Sequence, residues 1–145
     1  MLGGASDQEL AAQLVAAIAC ALAQSPGAPN RPAQKAVLNL AGRTGLRELC
    51  AVAKACTVVL TNDTGPMHVA AAVGTPVVAL FGSTDPALTG PGLPGQAAHR
   101  VFCCGAPCAP CFRRVCPLDG RCLTNIKSQE VVEAVMCLLA QARRR

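Results

Sequence analysis

Two stretches of the 145-residue chain concentrate side chains able to do chemistry. The first runs Asn62-Asp63-Thr64-Gly65-Pro66-Met67-His68, passes through Ala70-Ala71-Ala72, and reaches Gly82-Ser83-Thr84-Asp85. A β-branched apolar run precedes it and a proline follows the glycine, so the spacing predicts a strand end, a glycine turn and a helix start. Amides at such a start lack intrahelical partners and lie at the positive pole of the helix dipole. The backbone N–H groups of Gly65, Met67 and His68 are therefore candidates for holding a phosphate. Asp63 would repel a phosphate and suits instead the hydroxyls of a sugar, as an acceptor; His68, one turn into the helix, is placed to donate to a phosphate oxygen. The bland reading stands beside this one: Asp63 or Thr64 caps the helix, Gly65 makes the turn and His68 packs. These residues alone leave both open.

Gly82-Ser83-Thr84-Asp85 follows the next apolar run, Pro76 to Phe81, and adds hydroxyls and amides to what the pattern predicts is the same sheet edge. Two adjacent rims of this kind make a cleft for a nucleotide diphosphate at the carboxyl ends of parallel strands. The second chemical stretch is Cys103-Cys104 followed by Cys108-x2-Cys111-x4-Cys116-x5-Cys122. One C-x2-C pair is half of a structural zinc site, although the spacing of Cys116 and Cys122 is unlike the usual finger. A metal centre (zinc before iron–sulfur) on Cys108, Cys111, Cys116 and Cys122, reduced thiols, and disulfides all remain open. Cys20, Cys50, Cys56 and Cys137 fall among apolar residues at helical spacing and are expected in the core. His99 stands alone and is expected at the surface.

The elements that must position these groups alternate. Met1-Leu2-Gly3-Gly4 reads as a strand end, and Ser6 with Glu9 as a capping box for a helix whose Leu10, Leu14, Ile18 and Leu22 form one apolar stripe. Residues 25–34 read as a proline-rich loop, Ala36 to Leu40 as a short strand, and Leu46 to about Cys56 as a second helix. Thr57–Thr61 and Pro76–Phe81 are buried strands flanking a helix from Met67 to Val73 that Gly74 ends. Gly82–Gly95 is a long loop, Arg100–Cys103 a short strand, and Ser128 caps a last helix whose Val131, Val132, Val135, Leu138 and Leu139 face the core. This order predicts an α/β fold with a Rossmann-like parallel sheet.

Composition narrows the classes. The chain is 52% hydrophobic but only 2% aromatic and 14% charged, which excludes disorder for most of it and favours helices set closely on a buried parallel sheet. A net charge of +5 comes with no Trp or Tyr and three Phe, so a stacking platform for bases is absent and nucleic acid is not an expected partner. Arg143, Arg144 and Arg145 read as a solvated helix end. No apolar run approaches the ~18–20 residues of a membrane span, and no basic n-region precedes an apolar stretch. A cytoplasmic chain with reduced thiols is expected.

The run from Asn62 to Pro86, followed by Thr89-Gly90-Pro91, resembles glycosyltransferase family 9, the ADP-heptose:lipopolysaccharide heptosyltransferases, and especially its heptosyltransferase II type. Leu38-Asn39-Leu40-Ala41-Gly42-Arg43-Thr44, Leu46-Arg47-Glu48-Leu49 and the opening Leu2-Gly3-Gly4 are similar to the same family, so the resemblance covers nearly the whole chain. It implies an inverting GT-B enzyme that takes heptose from ADP-heptose to the lipopolysaccharide inner core. The chain would be the C-terminal donor domain, a single partial nucleotide-sugar-binding domain over 1–145 shortened at its N-terminus, with a Cys-rich insert at 103–122.

By the same resemblance, Asp63, Thr64, Gly65, Met67 and His68 match the donor-site motif. Thr44 and Gly45 lie where the nucleotide is flanked, and Asp7 or Glu9 is a candidate ribose contact. The general base is expected in an N-terminal domain, so no catalytic residue is assigned here and the 145 residues alone are expected to be inactive. Transfer requires no cofactor, a structural zinc is the one metal considered, and the acceptor is lipid-linked, at the cytoplasmic face of the inner membrane. Two other classes are alternatives: a GT-B-shaped nucleotide-sugar epimerase, and a noncatalytic Cys-metal binding module.

Overall fold

The computed structural model describes residues 1–24, 37–92 and 99–144. They divide into two compact units, Met1–Leu49 and Cys50–Arg145, and the division falls within one helix. The expected loop at 25–34 lies outside the described residues.

In the first unit the opening residues are extended. The Met1 amine donates to Leu38 O (2.6 Å), Leu40 N–H to Met1 O (2.9 Å) and Gly42 N–H to Gly3 O (2.9 Å). This alternation is that of two parallel strands, so the expected strand at 36–40 survives as an extended stretch over 37–40 too short to be a regular strand. A 3-10 turn, Ala5–Asp7, leads into α1 (Gln8–Gln24). The start is not capped by Ser6 and Glu9 as expected: it begins earlier, at Gly4, and Asp7 three residues on accepts the Gly4 N–H through Oδ2 (2.7 Å). Asp7 is thereby occupied, with Ser6 Oγ donating to its other oxygen (3.4 Å).

The stripe Leu10, Leu14, Ile18 and Leu22 does not face a core; these side chains are 38–59% exposed while Ala11 is buried. Among the described residues of this unit, α1, the first turn of α2 and two short extended segments form no sheet wide enough to cover them. α2 (Leu46–Ala55) opens with Leu49 N–H on Gly45 O (2.9 Å).

In the second unit, β1 (Val59–Asn62), β2 (Val77–Phe81) and β3 (Arg100–Cys103) form a parallel sheet in the order β1-β2-β3, with Asn62 opposite Leu80 and Phe81 opposite Cys103. The central strand is apolar throughout because both its faces are covered. Val77, Ala79 and Phe81 pack with Ala53, Met67 and Ala70, and Val78 packs on the other face with Val131 and Leu138.

α3 (Gly65–Ala72) joins β1 to β2 and ends in a Schellman turn. Gly74 takes φ +83°, its N–H donates to Ala71 O, and Thr75 N–H donates to Ala70 O, both at 3.0 Å. The buried Thr75 hydroxyl then donates to Ala53 O at 2.8 Å, tying this turn to the end of α2.

The expected loop from Gly82 holds one helical turn, α4 (Pro86–Thr89), because Asp85 caps it (Oδ1 accepts Ala87 N–H, 2.8 Å) and Pro86 supplies the fixed φ of a first turn. α5 (Arg121–Thr124) carries Cys122 at the end of the Cys-rich segment, and α6 (Ser128–Ala142) is the last helix of the described chain. Lys127, not Ser128, is the cap residue of α6, without a side-chain bond. Val131 and Leu138 are buried and Val135 packs beside them, but Val132 is exposed, one position round the helix from that face.

Candidate functional site

Because β1, β2 and β3 are parallel and adjacent, the loops that leave their carboxyl ends, starting at Asp63, Gly82 and Cys104, emerge along one edge. On the first rim Thr64 is extended (φ −150°, ψ 166°) and is the cap residue of α3, but its hydroxyl does not cap the helix. It lies 3.3 Å from the Thr61 hydroxyl and donates to Asn62 O (3.3 Å). Gly65 is exposed, a Cβ there would meet nothing within 4 Å, and its N–H donates to no described residue. His68 is exposed one turn on, and Asp63 is half-buried.

Met67 departs from the expectation. Its N–H is not free but donates to Thr64 O (3.0 Å), and its side chain is 0% exposed in the core with Phe81 and Val77. It anchors α3 beneath the rim instead of facing a ligand. Thr44 and Gly45 belong to the first unit. A Cβ on Gly45 would lie 2.8 Å from Glu48 Oε2, so only glycine lets that carboxylate fold back over the start of α2.

The second rim holds two features that the residue pattern did not reveal. Thr89 Oγ1 donates to Asp63 Oδ2 at 2.9 Å, joining the loops across 26 residues. Ser83 O accepts the N–H groups of Cys111 (2.9 Å) and Phe112 (2.8 Å), which docks the Cys-rich segment on this rim, with Phe112 at φ 54°. The local signal for the first is Asp85-Pro86, which starts a helical turn and so sets Thr89 four residues on. Beside it lies a pocket of about 240 Å³ lined in part by Gly82, Thr84, Asp85, Cys103, Cys104 and Cys122.

Cys108, Cys111, Cys116 and Cys122 are free thiols, the first three exposed. Among the described residues no group of three or more His, Cys, Asp or Glu side chains is gathered as a metal-ligand set. Desolvation pushes the Cys122 thiol up from its ordinary value, with Cys108 and Cys116 adding to it, which favours the neutral SH form. Asp119 receives two bonds from the Arg121 guanidinium (2.9 and 3.1 Å), which hold its carboxyl below the usual range.

Cys20 and Cys137, expected in the core, are exposed; each sulfur lies within reach of a glutamine amide four residues on. Cys50 and Cys56 are half-buried. His99, expected at the surface, is half-buried and accepts the Val77 N–H at Nδ1 (3.1 Å), with burial lowering its pKa.

No helix among the described residues is long and apolar enough to cross a membrane. Residues 2–121 match the family described as glycosyltransferase family 9 (heptosyltransferase). The chain is 34% identical over 104 residues to lipooligosaccharide heptosyltransferase 2 of Campylobacter jejuni subsp. jejuni serotype O:2, covering 71% of this chain and 32% of that protein. It is 37% identical over 91 residues to lipopolysaccharide heptosyltransferase 2 of Escherichia coli K12, covering 63% and 23%.

Among solved structures it superposes on E. coli ADP-heptose LPS heptosyltransferase II with a TM-score of 0.70 and 31% identity, over 98% of this chain and 36% of that one. The family 9 glycosyltransferase of Veillonella parvula gives a TM-score of 0.63 at 25% identity. The chain thus spans about a third or less of the length of these relatives. A family match over most of its residues, together with the parallel sheet that places Asp63 to His68 at its carboxyl edge, shows that the chain belongs to glycosyltransferase family 9.

Proposed function

We propose that residues 1–145 are donor-binding machinery of a heptosyltransferase that transfers heptose from ADP-heptose to the lipopolysaccharide inner core with inversion at the anomeric carbon. The observation that carries this reading is the first rim: an open Gly65, the exposed His68 and the half-buried Asp63 stand together where β1 hands over to α3. The amide end of α3 with His68 suits the diphosphate, and Asp63 suits a sugar hydroxyl. Thr64 shapes the turn between them, Met67 fixes α3 from below, and Thr44 and Gly45 are assigned to the nucleotide.

As the acceptor oxygen attacks and ADP leaves, negative charge grows on the diphosphate. Preorganised amides and the His68 side chain, donating to a phosphate oxygen, stabilise it more than they stabilise the ground state. The general base is assigned to none of these residues. The acceptor is lipid-linked, which places the work at the cytoplasmic face of the inner membrane.

Titration of the chain with ADP, ADP-heptose and UDP-sugars tests the reading. Saturable binding of the two adenine ligands, weakened by Asp63→Asn and His68→Ala, is expected. Indifference to both substitutions, or preference for UDP-sugars, would refute it.

A further inference from the structure

We propose that Thr89 is the positioning residue for the Asp63 carboxylate, and that through it the second rim sets how the first rim reads a sugar hydroxyl; this rests on the donor-binding reading above. Thr89 Oγ1 lies 2.9 Å from Asp63 Oδ2 and 3.2 Å from Asp85 O, its own i−4 carbonyl. A hydroxyl has one proton, and the shorter contact, to a carboxylate, is the stronger acceptor. The bond therefore fixes Oδ2. Oδ1 receives no hydrogen bond from any described residue, and so one carboxylate oxygen is held while the other is presented.

A carboxylate on a loop is otherwise free to rotate about its χ angles, and holding it in one orientation removes an ordering cost from ligand binding. Half-burial of both Asp63 and Thr89 strengthens the bond relative to one made in open water.

The rest of the second rim is built to deliver that hydroxyl. Asp85 caps α4 at Ala87 N–H (2.8 Å), Pro86 begins it, and one turn later Thr89 meets Asp63. Gly90 then passes so close to the Pro86 carbonyl that a Cβ there would collide with backbone, so the turn closes on Thr89 only with glycine next. A threonine serving merely as helix surface would need neither arrangement.

The experiment measures binding of ADP-heptose and of inorganic pyrophosphate to the 145-residue chain and to its Thr89→Val, Thr89→Ser and Asp63→Asn forms, with thermal melting of each. Thr89→Val is expected to weaken ADP-heptose about tenfold, roughly 1.4 kcal/mol, and pyrophosphate by less than about twofold, since pyrophosphate offers no sugar hydroxyl. Thr89→Ser, which keeps the donor, should restore wild-type affinity.

Wild-type ADP-heptose affinity in Thr89→Val, with Asp63→Asn still impaired, would overturn the proposal and leave the donor-site reading intact. Equal loss of both ligands, or failure of Thr89→Ser to rescue, would make the residue a structural support only and equally overturn it. No saturation of the unsubstituted chain by ADP-heptose would overturn the donor-site reading and the proposal with it.

Discussion

Met67 supports the rim from within the core, and its replacement is quantifiable. Its side chain is completely buried among Ala53, Ala70, Val77, Ala79 and Phe81, with Val59, Val69, Ala71 and Val73 packed around. Met67→Ala removes every atom beyond Cβ. Three of the five buried neighbours are alanines, which have no rotatable tail to swing into the space, so the cavity stays open. Large-to-small changes at such sites cost about 2–5 kcal/mol, and a site that cannot collapse falls in the upper half of that range.

Against a total stability of about 5–15 kcal/mol this is a large fraction. Met67→Leu, which roughly conserves volume, should cost less than about 1.5 kcal/mol. Equilibrium urea unfolding gives both values. Titration with ADP, at a temperature where each variant is folded, should return wild-type affinity within about twofold, a difference of roughly 0.4 kcal/mol. A Met67→Ala protein with the wild-type unfolding midpoint and a tenfold loss of ADP affinity would refute the assignment of Met67 to the core.

Three further outcomes follow from particular contacts. Gly65→Ala puts a methyl into open space at the rim, so stability should hold or rise by up to about 1 kcal/mol from helix propensity, while ADP binding weakens about tenfold; unchanged affinity in calorimetry would remove Gly65 from the site. Thr75→Val removes the buried 2.8 Å hydroxyl donor of Ala53 O, which keeps the Cys56 N–H at 3.2 Å, and should cost about 0.5–1.5 kcal/mol, read as a fall of roughly 2–4 °C in Tm per kcal/mol. Thr75→Ser should retain most of that stability, and a valine form melting with the wild type would contradict the argument. His99 accepts the Val77 N–H only while Nδ1 is unprotonated, and burial lowers its folded pKa below 6.5. Its contribution is therefore complete above the unfolded value and lost as pH falls through the lower folded one. Tm should drop between about pH 7 and pH 5, and the drop should shrink in His99→Gln; an unchanged pH profile in that variant would show that another group is responsible.

Much of the architecture was legible because it rests on local chemistry. β-branched runs made β1 and β2 recognisable, and Arg100–Cys103 forms β3 over the same residues that the pattern marked. Gly74 ends α3 because only glycine takes φ +83° there at little cost. The rim Asp63 to His68 was visible since a strand, a glycine turn and a proline-started helix are all encoded within a few neighbouring positions. The resemblance to glycosyltransferase family 9 rested on the same contiguous residues, which the family match includes.

What the local pattern did not determine depends on partners distant in the chain. Periodicity marks the Leu10–Leu22 stripe as apolar but cannot say whether a surface exists to cover it, and among the described residues of its unit none does. Met67 and His68 are neighbours in sequence, yet the helical rotation between them sends one into the sheet and the other to solvent. His99 acquires its hydrogen bond from Val77 and Asp63 its orientation from Thr89, across 22 and 26 residues, because parallel strands bring separated loops to one edge. The sequence alone determined which groups stand at that edge; the tertiary structure decided which of them are spent holding the chain together and which are left for a ligand, since that depends on where each donor and acceptor finds its partner.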